Sequence, residues 1–482
     1  PFLKRRKERM ERRSIRRLAG LLGAVLLWGQ ATAQAAVTSL RVSTSPTKVR
    51  VVLDLDAPVT YKEDVDGTTL RLDLDTKTLK KFSQTPKDKA VRSLTVLPRG
   101  RDKCRLEVDL TKAGQHRVLL LKKPDRLVLD LYRIQIIRET RELGQGLQYT
   151  YWQDDMDGKV VRLYALTLAP DSAYFVKPFS AALDRNGRGR LSKAVQGAGA
   201  RAAVNACYFD TDGWVIGNCK WDGEFFGGDS TPRSALGMDA AGRWQVLRDL
   251  SYSGTVRAGA GTALAVTGVN RQRLAQDLIV YNRYYGPSTR TNAFGREIKV
   301  KEGRVTAVST QGNMALEPGA LVLSAHGAKA DALAGLRPGD RVTVTQTLGN
   351  HAADLLRMVV GAGPSLVEDG TINVRSAQEQ MAPDIANGRA PRTGAGVKAD
   401  GSLILMVVDG RNFYYSNGAD LLDLMNLMSA CGACDALNLD GGGSSTFIAR
   451  DGAEGELKLL NWPTDQGGVM RKVATGLAIV EQ

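Results

Sequence analysis

Asp440 stands at the head of three consecutive glycines, Gly441, Gly442 and Gly443, followed by Ser444, Ser445 and Thr446. A carboxylate delivered by an alternating strand into such a loop can serve as base, nucleophile or oxygen ligand. Three adjacent glycines cost conformational entropy and persist where backbone must approach something closely or adopt positive φ. No Lys-Ser or Lys-Thr follows them, which excludes a nucleotide phosphate loop. A second acid, Asp409, closes the apolar run 403–408 and leads into Gly410 and Arg411. A third, Asp210, ends a segment that also carries Asn205 and Tyr208. Arg392 and Arg233 each precede an apolar, glycine-containing stretch, 393–397 and 234–237. Rigid strands from distant parts of a chain that all finish in acids, amides or arginines aim those groups into one crevice. Asp210, Asp409, Asp440 and Arg392 are therefore expected to line one pocket.

Only three histidines occur, His116, His326 and His351, and none lies in a motif. A Ser-His-Asp hydrolase and a His-ligated zinc site thus lack their parts. Carboxylates, amides and arginines remain. The set formed by 205–210, 233–237, 361–367, 392–396, 407–411, Asn438-Leu439-Asp440-Gly441-Gly442-Gly443-Ser444-Ser445, and 461–465 with Arg471 resembles the phosphodiester glycosidase family over roughly residues 146 to 482. Ala206-Cys207 departs from the pattern, standing where the family more often has glycines. The resemblance implies hydrolysis of a sugar-1-phosphodiester at the anomeric carbon. Asp440 and Asp409, then Asp210, are the candidate catalytic acids. Arg392, Arg411 and Arg233 are candidates for the phosphate, and Asn205, Asn438, Gly441, Gly442, Gly443 and Ser444 for substrate contacts. The chemistry suits this inventory: a phosphomonoester with second pKa near about 6 leaves without strong protonation, and guanidinium groups stabilise its charge. A carboxylate then attacks, or activates water, as in glycosidases generally. The cofactor is unknown; clustered acids could hold a hard divalent cation.

The elements that must position these residues are legible in part. Leu421, Leu422, Leu424, Met425, Leu427 and Met428 fall on helical spacing, with Ser416 or Asn417 as candidate cap and Gly432 near the stop. This helix joins the Asp409 strand to the Asp440 strand; a crossover of that length favours parallel strands with both Asp-Gly ends at one edge. Residues 255–348, with strand candidates at 297–300 and 341–344 and turns at Glu302-Gly303 and Pro338-Gly339, are expected to be an inserted small β-subdomain. Of five cysteines, 207 with 219 or 431 with 434 are near-neighbour pairs. Cys431-Gly432-Ala433-Cys434 sits at a helix end, where a thiolate is not activated, so a structural role fits it better than redox catalysis.

Residues 1–17 hold nine Lys/Arg against Glu8 and Glu11, followed by an apolar stretch 18–28 and Ala31-Thr32-Ala33-Gln34-Ala35. Residues 1–35 therefore read as a secretory signal, with Met10 a more ordinary start, and the apolar part is too short for a stable bilayer span. Of the formal net charge of +15, +7 lies in that segment. The remainder is mildly basic without Lys/Arg runs interleaved with aromatics, which disfavours nucleic acid and suits anionic envelope polymers or phosphorylated glycans. Residues 37–133 carry an internal repeat: 48–55 echoes 103–110, and 69–75 echoes 126–132, each alternating with period two. Two such halves facing each other would form a small β-sandwich. The pattern resembles the AMIN module, implying peptidoglycan or other cell-wall binding, and 134–146 reads as a linker.

The expected fold class is multidomain: an N-terminal all-β sandwich, then a mixed α/β (α+β) catalytic domain over 147–482 with its β insertion. The expected function is an exported periplasmic or envelope hydrolase of sugar-1-phosphodiesters in glycans. The alternative is a non-catalytic peptidoglycan- or polysaccharide-binding envelope protein.

Overall fold

The computed structural model describes residues 35–482 apart from 79, 87, 184–186, 260, 262, 414, 451–454 and 466–467. The signal reading of 1–34 lies outside the described residues. The chain is mostly β and divides between Gln135 and Ile136 into two compact units.

The first unit holds two five-stranded sheets. One runs Lys77–Thr78, Ala36–Thr44, Lys48–Leu55, Arg126–Tyr132, His116–Leu121; the other runs Tyr61–Asp66, Thr69–Leu74, Cys104–Leu110, Val91–Pro98, Phe82–Gln84. Period-two alternation buries Val49, Val51 and Leu53 of one sheet with Leu70, Leu72 and Leu106 of the other in a single apolar cluster. The repeat is not two halves face to face. Lys48–Leu55 of the first copy pairs with Arg126–Tyr132 of the second, and Thr69–Leu74 pairs with Cys104–Leu110. Each sheet thus takes one strand from each copy. Matching ion pairs lock the exchange: Arg50 grips Asp130 and Arg105 grips Asp73, each through two bonds of 2.6 and 2.7 Å. A repeat gives both copies the same Arg and Asp, so sequence cannot tell pairing within a copy from pairing between copies.

The second unit is built on an eight-stranded sheet in the order Ile137–Gly144, Leu147–Met156, Lys159–Leu168, Leu403–Val408, Arg392–Lys398, Ala433–Asn438, Ser365–Glu368, Thr371–Ile372. Its first strand occupies the segment expected to be a linker. Arg138, Glu139, Arg141 and Glu142 hide it from hydrophobic periodicity because it is an exposed edge, held by its ladder to Leu147–Met156 and by Arg138 lying 4.6 Å above Trp152. The helix Leu421–Ala430 covers one face, burying Leu424, Met425 and Met428 against Ile404, Met406 and Ala436. Its cap is Asp420, in a reciprocal capping box with Asp423, rather than Ser416 or Asn417. The other face packs Leu405, Val407 and Leu437 against Val204, Phe447 and Leu477 of a second sheet, Tyr174–Ser180, Thr475–Glu481, Ala200–Asn205, Phe447–Arg450, Leu457–Leu459. A third sheet contains Cys219–Trp221, Met358–Gly361 and Arg233–Met238. Residues 253–347 form two further small sheets around Val256, Leu278, Val280, Ile298 and Leu323.

Helix is scarcer than a mixed α/β reading implies. Among the described residues Leu421–Ala430 is the longest α-helix, the others having four or five residues. Nor are the Asp409 and Asp440 strands neighbours. Arg392–Lys398 lies between them, antiparallel to both. They therefore run the same way, and both Asp-Gly ends emerge at one edge, two strand spacings or about 10 Å apart at the backbone.

Candidate active site

Asp440 is fixed by residues far from it in sequence. Its N–H donates to Ala206 O at 2.9 Å, and Asn205 Nδ2 donates to its carbonyl at 2.6 Å. Its carboxyl Oδ2 is sealed from solvent without a hydrogen-bond partner. Burial lifts the pKa from the ordinary 3.8 to about 7, outweighing Ser444, the Arg471 charge and the Gly441 backbone, which pull it down. The following loop is one 3₁₀ turn, Gly442–Ser444, tied to the central strand by Gly442 N–H donating to Pro391 O at 2.8 Å. Gly442 adopts φ +60°, and any Cβ there would meet the Arg411 guanidinium at 3.3 Å. A Cβ on Gly443 would collide with Asp465 and Arg471, which pair through bonds of 2.5 and 2.9 Å. The glycines are needed because an arginine lies over the loop and an ion pair is packed against it.

Asp409 is 1% exposed. Its Oδ1 accepts from Asn461 Nδ2 at 3.1 Å, and Trp462 N–H lies 3.0 Å from both carboxylate oxygens. Burial raises its pKa to about 6, against these donors and the nearby hydroxyls of Tyr415 and Tyr164. Those hydroxyls lie 3.0 Å apart, and the Arg162 guanidinium stacks 3.7 Å from the Tyr415 ring centre. A polar network joins the two acids. Asn461 Nδ2 also donates to Ser445 O at 3.0 Å; Ser445 Oγ is 3.1 Å from Thr393 Oγ1; and Thr393 donates at 2.8 Å to Asn205, the residue holding Asp440.

The arginines separate into used and free. Arg392 spends its side chain on backbone carbonyls: Nε on Ala419, Nη1 on Ile385 and Nη2 on Gly388, each at 3.0 Å. Arg411, exposed and at φ +57°, has no hydrogen-bond or ion-pair partner among the described residues. Arg233 is half-buried, and its Nε is sealed without a partner. Asp440, Arg392 and Arg233 all act electrostatically on Tyr208, whose hydroxyl donates to Gly363 O at 2.8 Å and accepts from Asn438 Nδ2 at 2.6 Å. Asn205 and Asn438 are each 1% exposed and tie strand ends together. Asp210 closes its own turn, accepting from Asp212 N–H and Trp214 N–H at 3.0 and 2.9 Å. Among the described residues its carboxylate has no hydrogen bond to the Asp409–Asp440 network. No cluster of three or more His, Cys, Asp or Glu among them is arranged to hold a metal ion. No helix among them is long and apolar enough to cross a membrane.

Residues 294–480 match the phosphodiester glycosidase family. That is a family of hydrolases acting on phosphodiester-linked sugars, and the matched segment carries Arg392, Asp409, Arg411, Asn438 and Asp440. Asn205, Tyr208, Asp210 and Arg233 precede it. A solved Synechocystis structure is similar at 19% identity and TM-score 0.61, covering 93% of this chain and 81% of that one. One from Burkholderia pseudomallei is similar at 20% identity and TM-score 0.56, covering 88% and 96%. Both likenesses are of fold. The zebrafish N-acetylglucosamine-1-phosphodiester alpha-N-acetylglucosaminidase catalytic domain aligns at 15% identity and TM-score 0.40, over 72% and 88% of the two chains. No curated protein matches the chain.

Sequence reasoning passed over Glu379, which is 1% exposed and accepts from Ser234 N–H, Ser234 Oγ and Ser365 N–H at 2.9, 2.7 and 2.9 Å. It braces the segment next to Arg233. An isolated Glu in a polar stretch gives no signal of that role. Tyr415, whose proximity to Asp409 only folding creates, gave none either, whereas Trp462 fell within the 461–465 segment of the family resemblance with no role assigned to it.

Proposed function

We infer that the C-terminal unit hydrolyses sugar-1-phosphodiesters at the anomeric carbon, releasing sugar and a phosphomonoester. The observation that carries this is Asp440: a desolvated carboxyl with an unpartnered oxygen and a pKa of about 7, beside a glycine loop overlaid by the unpaired guanidinium of Arg411. A group poised near neutrality can be ionised when it attacks, or takes a proton from water. Arg411 takes the phosphate oxygens, with Arg233 the second free guanidinium. Arg392 adds positive potential from behind, its donors holding the loops that frame the edge. Asp409 binds the Trp462 backbone and contributes negative charge where the ring carbon becomes electron-poor. The test is an assay of the full chain on a panel of sugar-1-phosphodiesters, with and without chelator. No turnover of any member would refute the reading, and loss of turnover with chelator would place a divalent cation in it.

On the same reading the protein is exported, and its first unit is an AMIN-like β-sandwich that binds cell-wall polymer. Support comes from its two sheets sharing one core and from the basic and apolar pattern of residues 1–35. Sedimentation of the full chain with purified peptidoglycan, abolished by removing residues 37–133, is the expected result; undiminished binding without them would refute it.

A further inference from the structure

Trp462 is 49% exposed although it is a large aromatic. Its backbone N–H is held by both oxygens of Asp409, which fixes the main chain there, and its indole lies against Gly468, where an added Cβ would meet the ring at 3.4 Å. Tyr415 stands beside it, ring centres 5.7 Å apart at 47°, and is stiffened on its own account by the Arg162 guanidinium at 3.7 Å. Phe413, 59% exposed, precedes Tyr415 on the same loop. An anchored aromatic wall therefore borders Asp409. The glycine loop differs in chemistry: Arg411 lies over Gly442, Arg471 packs on Gly443, and Arg392 and Arg411 are close enough to act on each other's charge.

Resting on the reading that this edge handles sugar phosphodiesters, we propose that Trp462 is the platform on which the sugar ring stacks. The sugar then lies on the Asp409 side and the phosphate on the glycine-loop side. A phosphate would be repelled by Asp409 and drawn to Arg411. A neutral pyranose suits the other half, since its C–H face packs on an aromatic ring while its hydroxyls meet water and nearby polar groups. Trp462 is accordingly a positioning and specificity residue. It fixes which face of the ring is presented to the acids and does not itself exchange a proton.

Trp462→Ala removes the ring and leaves the backbone N–H that clamps Asp409. With methyl diesters of hexose-1-phosphates and of N-acetylglucosamine-1-phosphate as probes, the variant should raise KM about 3- to 10-fold. Inhibition by inorganic phosphate should be unchanged, and Trp462→Phe should recover most of the affinity. An unchanged KM, or phosphate inhibition weakened in step with KM, would overturn the platform. Equilibrium binding of the corresponding methyl glycosides separates the two readings. If wild type binds a glycoside but turns over no diester, hydrolysis falls and the platform stands provided Trp462→Ala binds more weakly. If wild type binds none of them, or the variant binds them equally well, the platform falls regardless of turnover.

Discussion

Replacing Asp440 by Asn should make the protein more stable, and only above a defined pH. The aspartate carboxyl is lifted from 3.8 to about 7 by burial. The folded state therefore holds the proton more tightly than the unfolded chain. Stability from this group is fully present below about pH 4, where both states are protonated, and is lost as pH rises toward 7. The loss accrues at about 1.4 kcal/mol per pH unit and then levels off. Over the interval between the unfolded and folded pKa values this sets a ceiling of about 4 kcal/mol; relaxation around a half-buried residue returns part of it, so about 2 kcal/mol is expected. Asn carries no charge at any pH and escapes this cost. Denaturant unfolding of both proteins at pH 4.5 and pH 7.5 reads it directly: a small difference at the lower pH and a clear advantage of Asp440→Asn at the higher. The same variant should lose turnover at least about 100-fold, because its amide can neither attack nor accept a proton. An advantage equal at both pH values, or a less stable variant at pH 7.5, would show that the carboxyl is not desolvated and would remove the ground for its catalytic role.

Asp409→Asn should differ in stability: its amide NH₂ would face the donors of Asn461 and Trp462, costing about 1–3 kcal/mol in denaturant unfolding at pH 4.5, a cost offset at pH 7.5 because burial also holds this carboxyl up at about 6. Arg411→Ala should leave the unfolding midpoint unchanged and lower kcat/KM on a phosphodiester by about 10- to 100-fold. Arg392→Ala, by orphaning the carbonyls of Ile385, Gly388 and Ala419, should lose stability by about 2–4 kcal/mol in the same unfolding experiment. Cys207 and Cys219 are buried with sulfurs 3.1 Å apart. Refolding with oxidised and reduced glutathione should link them, and a peptide map in which both remain alkylatable would refute that.

The sequence determined the local pattern and the chemical inventory. Period two in 48–55, 69–74 and 104–110 fixed which side chains face the core, because alternation is a property of strand geometry. Heptad-like spacing fixed the helix Leu421–Ala430, although its cap went to Asp420, whose reciprocal bond with Asp423 was equally legible in the chain. Asp-Gly at the ends of two apolar runs marked the edge where Asp409 and Asp440 emerge. What sequence could not decide is which polar groups would be spent. Arg392, Arg411 and Arg233 look alike as motif arginines, yet Arg392 is consumed by carbonyls up to 27 residues away while Arg411 stays free. Asp210 and Asp440 each end a strand-like run and both are half-buried, yet one carboxylate is spent on the N–H groups of its own turn while the other keeps an oxygen sealed without a partner, near Ser444 and Arg471. The exchange of strands between the repeat copies and the edge strand Ile137–Gly144 belong to the same class. Hydrogen-bond partners and desolvation are supplied by residues remote in the chain, so only the tertiary structure assigns them.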